Sequence, residues 1–143
     1  MRLFVLLASS VSLLIAPTVF AQKAKSRGDS AALIARGKYL VSGVGMCGDC
    51  HSPRNEKGEI SEAQWLQGAV LTFKPTVPMP VWAEKAPKIA GLPEWEKDAA
   101  IRFLMTGIAY NELPARPPMP QYRFNQQDAE AIVAYLKSLA PAK

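Results

Sequence analysis

The sequence predicts an all-α fold in which three main helices are connected by unusually long loops. Three segments, near residues 29–44, 94–105 and 125–139, carry apolar residues at the spacing of an amphipathic helix. Residues 52–93 contain many prolines and few periodic runs, which predicts long loops with a single turn of helix near residues 62–66. No internal repeat is visible in the sequence.

The composition is that of one globular domain. The 143 residues are 49% hydrophobic, and 17 basic side chains stand against 12 acidic ones. This balance excludes a disordered tail. Two cysteines are too few for a disulfide framework. The basic residues are scattered rather than gathered into a stripe, so the formal charge of +5 does not indicate a nucleic acid partner.

The first 21 residues have the pattern of a cleaved secretory signal peptide. Arg2 supplies a positive start, residues 3–16 form an uncharged and mostly apolar core, and Pro17 interrupts it. A site close to small-x-small predicts cleavage after Ala21, with a retained anchor as the alternative. The apolar core is too short to cross a bilayer comfortably, so we expect no stable membrane insertion after cleavage. The pattern therefore predicts export to the periplasm.

After the signal peptide we expect a short, basic and polar flexible segment, residues 22–28, and then a single folded domain, residues 29–143. The first helix is predicted to begin at a cap, Asp29 or Ser30, and to end at glycines just before residue 47. Its apolar face consists of Leu33, Ile34, Gly37, Leu40, Val41 and Val44.

Two further main helices follow the long loops. The second is predicted over residues 94–105, with Gly107 as its stop. The third is predicted to begin at a cap, Asn125, and to end before Pro141. The inner faces consist of Ile101, Leu104 and Met105 in the second helix, and of Ala129, Ile132, Val133, Leu136 and Leu139 in the third.

Residues 47–51 read Cys-Gly-Asp-Cys-His, the pattern C-x-x-C-H. Two thiols three positions apart lie about one helical turn apart, so both can bond to the vinyl groups on one edge of a haem. The histidine that follows the second thiol is then carried under the ring, where an imidazole nitrogen can bind the iron. The pattern predicts covalent haem c on Cys47 and Cys50, with His51 as an iron ligand.

A structural disulfide, a thioredoxin-like redox pair and part of a zinc site are the other interpretations of this pattern. A zinc site needs a fourth protein ligand, and the chain has no further cysteine or histidine. A redox pair does not need the following histidine and usually follows a strand in an α/β pattern. Covalent haem is favoured because export, motif and helical layout agree. A large apolar cofactor would also account for loops this long in a small domain.

The chain resembles the small class I cytochromes c of bacteria over essentially all of its predicted mature domain. Residues 36–40, Arg-Gly-Lys-Tyr-Leu, are similar to the first helix of that family, in which a glycine lets the last helix cross closely. Residues 50–55, Cys-His-Ser-Pro-Arg-Asn, resemble the cytochrome c domains that serve periplasmic alcohol, sugar-acid and aldehyde dehydrogenases. The resemblance implies the cytochrome c fold, wrapped around one covalently bound haem.

The second axial ligand of the iron is expected to be a methionine, because the chain has no second histidine. Met1 leaves with the signal peptide, Met46 adjoins the attachment motif, and Met105 lies on an apolar helix face. Met79 and Met119 remain, and each is flanked by prolines. Met119 is favoured because it lies between two helices that should pack on opposite sides of the haem pocket. The resemblance also places the ligand shortly before the terminal helix.

Two expectations concern other side chains near the haem. Tyr135 is expected to be a helix-contact residue rather than a redox relay. Basic side chains around an exposed haem edge are expected either to steer an acidic partner or to be an ordinary solvated surface. These side chains are Lys38, Arg54, Lys57, Lys85 and Lys88.

These observations predict a periplasmic single-electron carrier, monomeric and not an enzyme. A protein ligand on each side of the iron leaves no open position for a substrate. The expected partners are redox proteins, either a periplasmic dehydrogenase or a terminal oxidase. One alternative is a haem subunit bound permanently to an alcohol, sugar or aldehyde dehydrogenase. The alternative from another class is a haem enzyme or gas sensor, in which the methionine bond would be absent or labile.

Overall fold

The computed structural model describes the backbone of residues 18–139 and the side chains of residues 28–139. Residues 1–17 of the predicted signal peptide and Pro141 lie outside this part of the chain, so the signal peptide and its cleavage after Ala21 stay predictions. Among the described helices, none combines the length and the apolar character that a membrane span requires.

The described residues form helices joined by long loops, with one very small sheet. The three main helices are confirmed, and a single helical turn occurs in the predicted region of the loops. The helical elements are α1 (Thr18–Tyr39), continued by a π-helical turn (Leu40–Val44), α2 (Gly48–His51), a 3₁₀ turn (Glu62–Gln64), α3 (Lys97–Thr106) and α4 (Gln126–Ser138). Strands β1 (Ala69–Val70) and β2 (Lys85–Ala86), which the sequence did not predict, pair antiparallel with Ala69 opposite Ala86.

The first helix begins earlier than predicted. It starts at Thr18, so Asp29 and Ser30 lie inside the helix instead of capping it, and residues 22–28 belong to the same helix. The flexibility of residues 22–28 stays a prediction. That segment contains alanine, glutamine, lysine and arginine, which all have high helix propensity. A capping residue marks a helix start only where the preceding residues leave the helix, and here they continue it.

The end of this helix is close to the prediction. The N–H of Gly45 donates to the carbonyl of Leu40 at 2.7 Å and closes the π-helical turn. Leu40 and Val41 are buried, whereas Val44, predicted on the same face, is exposed. A π turn holds more residues than an α turn, so it rotates Val44 away from the position that the regular 3.6-residue spacing predicts.

The end of α3 and the start of α4 lie at the predicted residues. Gly107 adopts a left-handed conformation with φ 72° and stops α3. The Asn125 side chain accepts a hydrogen bond from the N–H of Asp128 at 2.9 Å and caps α4. The start of α3 lies at Lys97 rather than at Glu94, because the preceding residues form a turn in which the N–H of Trp95 donates to Leu92.

The crossing of α1 and α4 is the central packing contact. A Cβ atom on Gly37 would overlap the carbonyl oxygen of Ala131 and would lie 2.7 Å from the Cβ of Tyr135. Only glycine permits two helices to approach so closely. Tyr135 is 6% exposed at this crossing. The close crossing that the resemblance implied and the helix-contact role of Tyr135 are therefore both confirmed.

Replacing Gly37 by alanine is expected to lower the free energy of unfolding by about 3 kcal/mol, because the new methyl group meets helix backbone that cannot rotate away. Gly28→Ala is the matched control in the same helix, since a Cβ there meets no atom within 4 Å. The control should be neutral or stabilise by up to about 1 kcal/mol through helix propensity. Denaturant unfolding measures both, and equal stability of the two variants would contradict the close crossing.

Candidate functional site

The motif Cys47 to His51 forms a single helical turn at the end of the first helix. The N–H of Cys47 donates to the carbonyl of Val41 at 2.9 Å, and the N–H of His51 donates to the carbonyl of Cys47 at 2.9 Å. A Cβ atom on Gly48 would overlap the indole ring of Trp65, so this turn lies directly against that ring. The turn thereby presents the two cysteines and the histidine together, as the sequence predicts.

Neither cysteine forms a disulfide. Burial raises the pKa of the Cys47 thiol to about 11, and burial, then the charge of Asp49, raise the pKa of the Cys50 thiol. Both are therefore neutral thiols near pH 7. A catalytic thiol–disulfide pair requires a lowered thiol pKa. The electrostatics thus weigh against the thioredoxin-like interpretation and leave two free thiols on one turn.

His51 is buried, with 5% of its surface exposed, and its Nδ1 lies 2.6 Å from the carbonyl oxygen of Pro87. A carbonyl oxygen can only accept, so Nδ1 must carry the proton and donate it. Burial lowers the pKa of His51, which keeps the ring neutral. The remaining nitrogen, Nε2, then has a free lone pair. This is the tautomer that binds a metal ion through Nε2, with Nδ1–H held by an outer partner.

The backbone around His51 is fixed by the small sheet. The carbonyl of His51 accepts a hydrogen bond from the N–H of Gly68 at 2.8 Å. Gly68 immediately precedes β1 and Pro87 immediately follows β2, so the antiparallel register brings these two residues together. Gly68 has φ 88°, and a Cβ there would lie 2.8 Å from the backbone nitrogen of Lys88. A glycine is required at this position because both the conformation and the space exclude a side chain.

Sequence reasoning missed the partners of His51. The Pro87 carbonyl lies 36 residues from the histidine, and a backbone acceptor carries no residue-type signal. It also missed the hydrogen bond from Trp65 Nε1 to the Tyr135 hydroxyl, at 3.1 Å, which links the motif's neighbour to α4. In the sequence, only Gly48, inside the C-x-x-C pattern, indicated that another side chain packs closely there, and this side chain is the Trp65 ring.

The methionines occupy different surroundings. Met105 packs against the hydrophobic core, as predicted, and Met46 is exposed. Met79 lies 38% exposed in the loop between β1 and β2. Met119 is half-buried and ends a turn in which its N–H donates to the carbonyl of Arg116 at 3.1 Å. The assignment of Met119 as ligand stays a prediction.

One contact fastens the Met119 segment to the motif. The hydroxyl of Tyr122 donates to the carbonyl of Gly45, two residues before Cys47. Burial raises the pKa of Tyr122 to about 12, so the hydroxyl keeps its proton and stays a donor. The chain that follows Met119 is thus tied to the leading edge of the cysteine turn, whereas no such contact ties the Met79 loop there within residues 28–139.

The donor set and its surroundings fit a covalently held haem. Two free thiols occupy one turn, and a neutral imidazole with a free Nε2 follows them. The loop between β1 and β2 continues the two strands whose other ends adjoin the residues that hold His51, and it presents exposed apolar side chains, Phe73, Val77, Met79 and Val81. In the described part of the chain, no group of three or more Cys, His, Asp or Glu side chains forms a competing metal site.

Comparison with known proteins gives a consistent result. Residues 34–140 match the family model described as cytochrome c. The chain is 33% identical over 116 residues to a diheme cytochrome c-type protein of Cereibacter sphaeroides, with 77% of this chain and 36% of that protein covered. It is 31% identical over 116 residues to the cytochrome c subunit of a quinone alcohol dehydrogenase of Gluconacetobacter polyoxogenes (76% and 25% covered). It is also 31% identical over 118 residues to the fructose dehydrogenase cytochrome subunit of Gluconobacter japonicus (76% and 22% covered).

The chain spans only 22% to 36% of the length of these relatives, so their whole activities do not transfer with the match. The family match, in contrast, covers the cysteine turn and all of α3 and α4. Cytochrome c domains hold haem c covalently and transfer electrons without being catalytic themselves. The motif, the fold and the family match agree that this chain belongs to the cytochrome c family.

Proposed function

We propose that this chain holds one haem c, bonded through Cys47 and Cys50, with His51 and Met119 as axial ligands, and carries single electrons in the periplasm. The observation that carries the proposal is the buried His51, whose Nδ1–H is donated to the Pro87 carbonyl and whose Nε2 is free. The 143 residues contain one C-x-x-C-H pattern, which supports one haem rather than two.

The residues of the site have separate tasks in this mechanism. When bound, the haem supplies an iron that changes between the ferrous and ferric states. The Pro87 carbonyl fixes the imidazole of His51 and makes Nε2 a stronger donor. The thioether of Met119 would supply a soft, neutral donor that favours the ferrous state and raises the reduction potential. Two protein ligands would leave no position for a substrate, so the site would exchange electrons instead of transforming a molecule.

A periplasmic dehydrogenase is the proposed electron donor. The names of several relatives support this partner, since they are the cytochrome subunits of alcohol, fructose and gluconate dehydrogenases. The same names favour a second candidate, a haem subunit bound permanently to such an enzyme. A terminal oxidase is the proposed acceptor for a free monomeric carrier. Export is supported by the signal-peptide pattern of residues 1–21.

The covalent bonds can be tested by denaturation. We expect wild-type protein, unfolded in acidic organic solvent, to retain all its haem, because two thioethers do not dissociate with the fold. Cys47→Ala and Cys50→Ala should each retain at most one thioether, and the double variant should retain none. Intact mass and the haem content of the organic phase measure this. Extraction of haem from the wild type would contradict covalent attachment.

The identity of the sixth ligand can be tested by substituting the two loop methionines. Met119→Ala should abolish the methionine-to-iron charge-transfer band of the ferric protein. It should also lower the reduction potential by on the order of 100 mV, because axial ligands set haem potentials over a range of about 0.8 V. Met79→Ala is the matched control and should keep both properties. The reverse pattern would transfer the ligand role to Met79.

Carbon monoxide separates the carrier from the alternative of another class. The reduced wild type should bind it slowly, because the thioether occupies the sixth position, and Met119→Ala should bind it readily. Fast binding by the wild type would favour a haem enzyme or a gas sensor.

Docking of a free carrier should depend on salt. Lys85 and Lys88 flank the Pro87 segment that holds His51, so a positive field from them would steer an acidic partner toward this part of the chain. Electron transfer to the partner should slow about tenfold from low to physiological salt, since charges are screened over roughly 8–10 Å there. The double variant Lys85→Glu, Lys88→Glu should slow it similarly at low salt.

A matched control makes the same change of charge outside the segment that supports His51, on the helices α3 and α4. Lys97 and Lys137 are exposed at the start of α3 and near the end of α4. Lys97→Glu, Lys137→Glu should therefore leave the second-order rate nearly unchanged. Equal slowing by both double variants would show a net-charge effect without local steering. Co-purification with a dehydrogenase at high salt would favour the permanent subunit.

A further inference from the structure

A tight turn and a long loop meet beside the proposed iron site. The turn, residues 116–119, is closed by the hydrogen bond from the Met119 N–H to the Arg116 carbonyl. The loop, residues 71–84, joins β1 to β2, and the opposite ends of these two strands adjoin Gly68 and Pro87, the two residues that hold His51. The turn therefore carries the proposed methionine ligand, and the loop is continuous with the support of the histidine ligand.

Arg116 joins the turn to the loop through its guanidinium group. Its Nε donates to the carbonyl of Val81 at 3.1 Å, and its Nη2 donates to the carbonyl of Trp82 at 2.9 Å. A third bond beside them runs from the N–H of Ala83 to the carbonyl of Pro117, at 2.7 Å. The ion pairs found within residues 28–139 involve other arginines, so the contacts of this guanidinium are the loop carbonyls.

The turn is rigid, so the backbone of Met119 moves together with that of Arg116. Two prolines separate these residues and a third follows Met119. Each proline fixes its own φ, so the segment has few ways to move internally. The hydrogen bond that closes the turn removes further freedom. A displacement of the Met119 backbone therefore requires the whole turn to leave the loop, which breaks the bonds made by Arg116.

Arg123 provides an internal comparison. It is also exposed and also donates to two carbonyls, but these belong to Gln121 and Tyr122, its own neighbours in the chain. The same kind of side chain, four residues beyond Met119, thus makes bonds that tie no distant segment to another. An effect of Arg116→Ala that Arg123→Ala does not share would therefore point to the connection between turn and loop.

We propose that Arg116 is a positioning residue, which holds the Met119 turn against the 71–84 loop and so sets how readily the Met119 thioether leaves the iron. The inference rests on the proposed function, because it requires Met119 to be the sixth ligand. Arg116 itself donates to the loop carbonyls of Val81 and Trp82. Its removal should leave the attachment of the cofactor and the His51 side of the site intact.

The experiment uses the full ferric holoprotein and the variants Arg116→Ala, Arg116→Lys, Arg123→Ala and Met119→Ala. Cyanide binds only after the methionine has left, so its binding rate reports how readily the thioether dissociates. Arg116→Ala should bind cyanide about tenfold faster, the order of effect expected for charge-assisted hydrogen bonds. It should also lose the methionine charge-transfer band at a lower temperature than the wild type. The cyanide-binding rate of Arg116→Lys should lie between those of the wild type and Arg116→Ala, because an ammonium group lacks the planar fork of a guanidinium.

Global unfolding followed by circular dichroism separates positioning from general loosening. The exposed Arg116 variants should unfold close to the wild type, and Arg123→Ala should match the wild type in every measurement. The inference would be overturned if Arg116→Ala bound cyanide at the wild-type rate. It would also be overturned if Arg123→Ala bound cyanide as fast as Arg116→Ala. Either outcome would leave the ligand assignment in place. A wild-type rate in Arg116→Lys would also overturn it, since charge alone would then suffice. A methionine band that survives Met119→Ala would instead refute the ligand assignment, and the role of Arg116 with it.

Discussion

The hydrogen bond from His51 Nδ1 to the Pro87 carbonyl is the constraint on which the rest of the site depends. A buried imidazole presents Nε2 to a metal only when its other nitrogen carries the proton and has an acceptor. Here the acceptor comes from a segment 36 residues along the chain. The two-residue strands, the left-handed Gly68 and the pair of bonds from Ile89 and Ala90 to the Leu66 carbonyl all hold that segment in place. Proline suits this position because its ring fixes φ and so removes one of the two backbone rotations there.

The cysteine turn depends equally on contacts made elsewhere in the chain. A helix of one turn is not stable alone, because nucleation costs more than its few hydrogen bonds return. The turn is held by the Val41 carbonyl at its start and by the Trp65 ring on Gly48. Trp65 in turn donates to Tyr135, which lies in the crossing of α1 and α4. The close approach at Gly37 thus supports the geometry of the thiols as well as the hydrophobic core.

The sequence predicted what depends on local pattern and missed what depends on distant backbone. Asn125 and Gly107 act where they were expected, since a cap and a left-handed stop are local properties of their own residues. The cysteine turn was found because its chemistry fixes residue types at fixed spacing. The predicted start of α1 was wrong because residues that can cap a helix also occur inside helices. The β ladder and the acceptor of His51 were missed because any residue can supply a backbone carbonyl, and only the fold shows which one does.

The two sides of the proposed iron site share a property that suits an electron carrier. His51 is neutral, its acceptor is a neutral carbonyl, and a methionine thioether has no charge in any protonation state. Neither of these side chains would therefore need to gain or lose a proton when a bound haem gains or loses one electron. His51 is supported by backbone groups that sheet pairing fixes, and the Met119 turn is supported by prolines and by the Arg116 guanidinium on two loop carbonyls. Neither support includes an ion pair within residues 28–139. Hydrogen-bonded supports of this kind favour a ligand geometry that is nearly the same in both oxidation states. A small difference between the two geometries is what allows fast electron exchange with a partner.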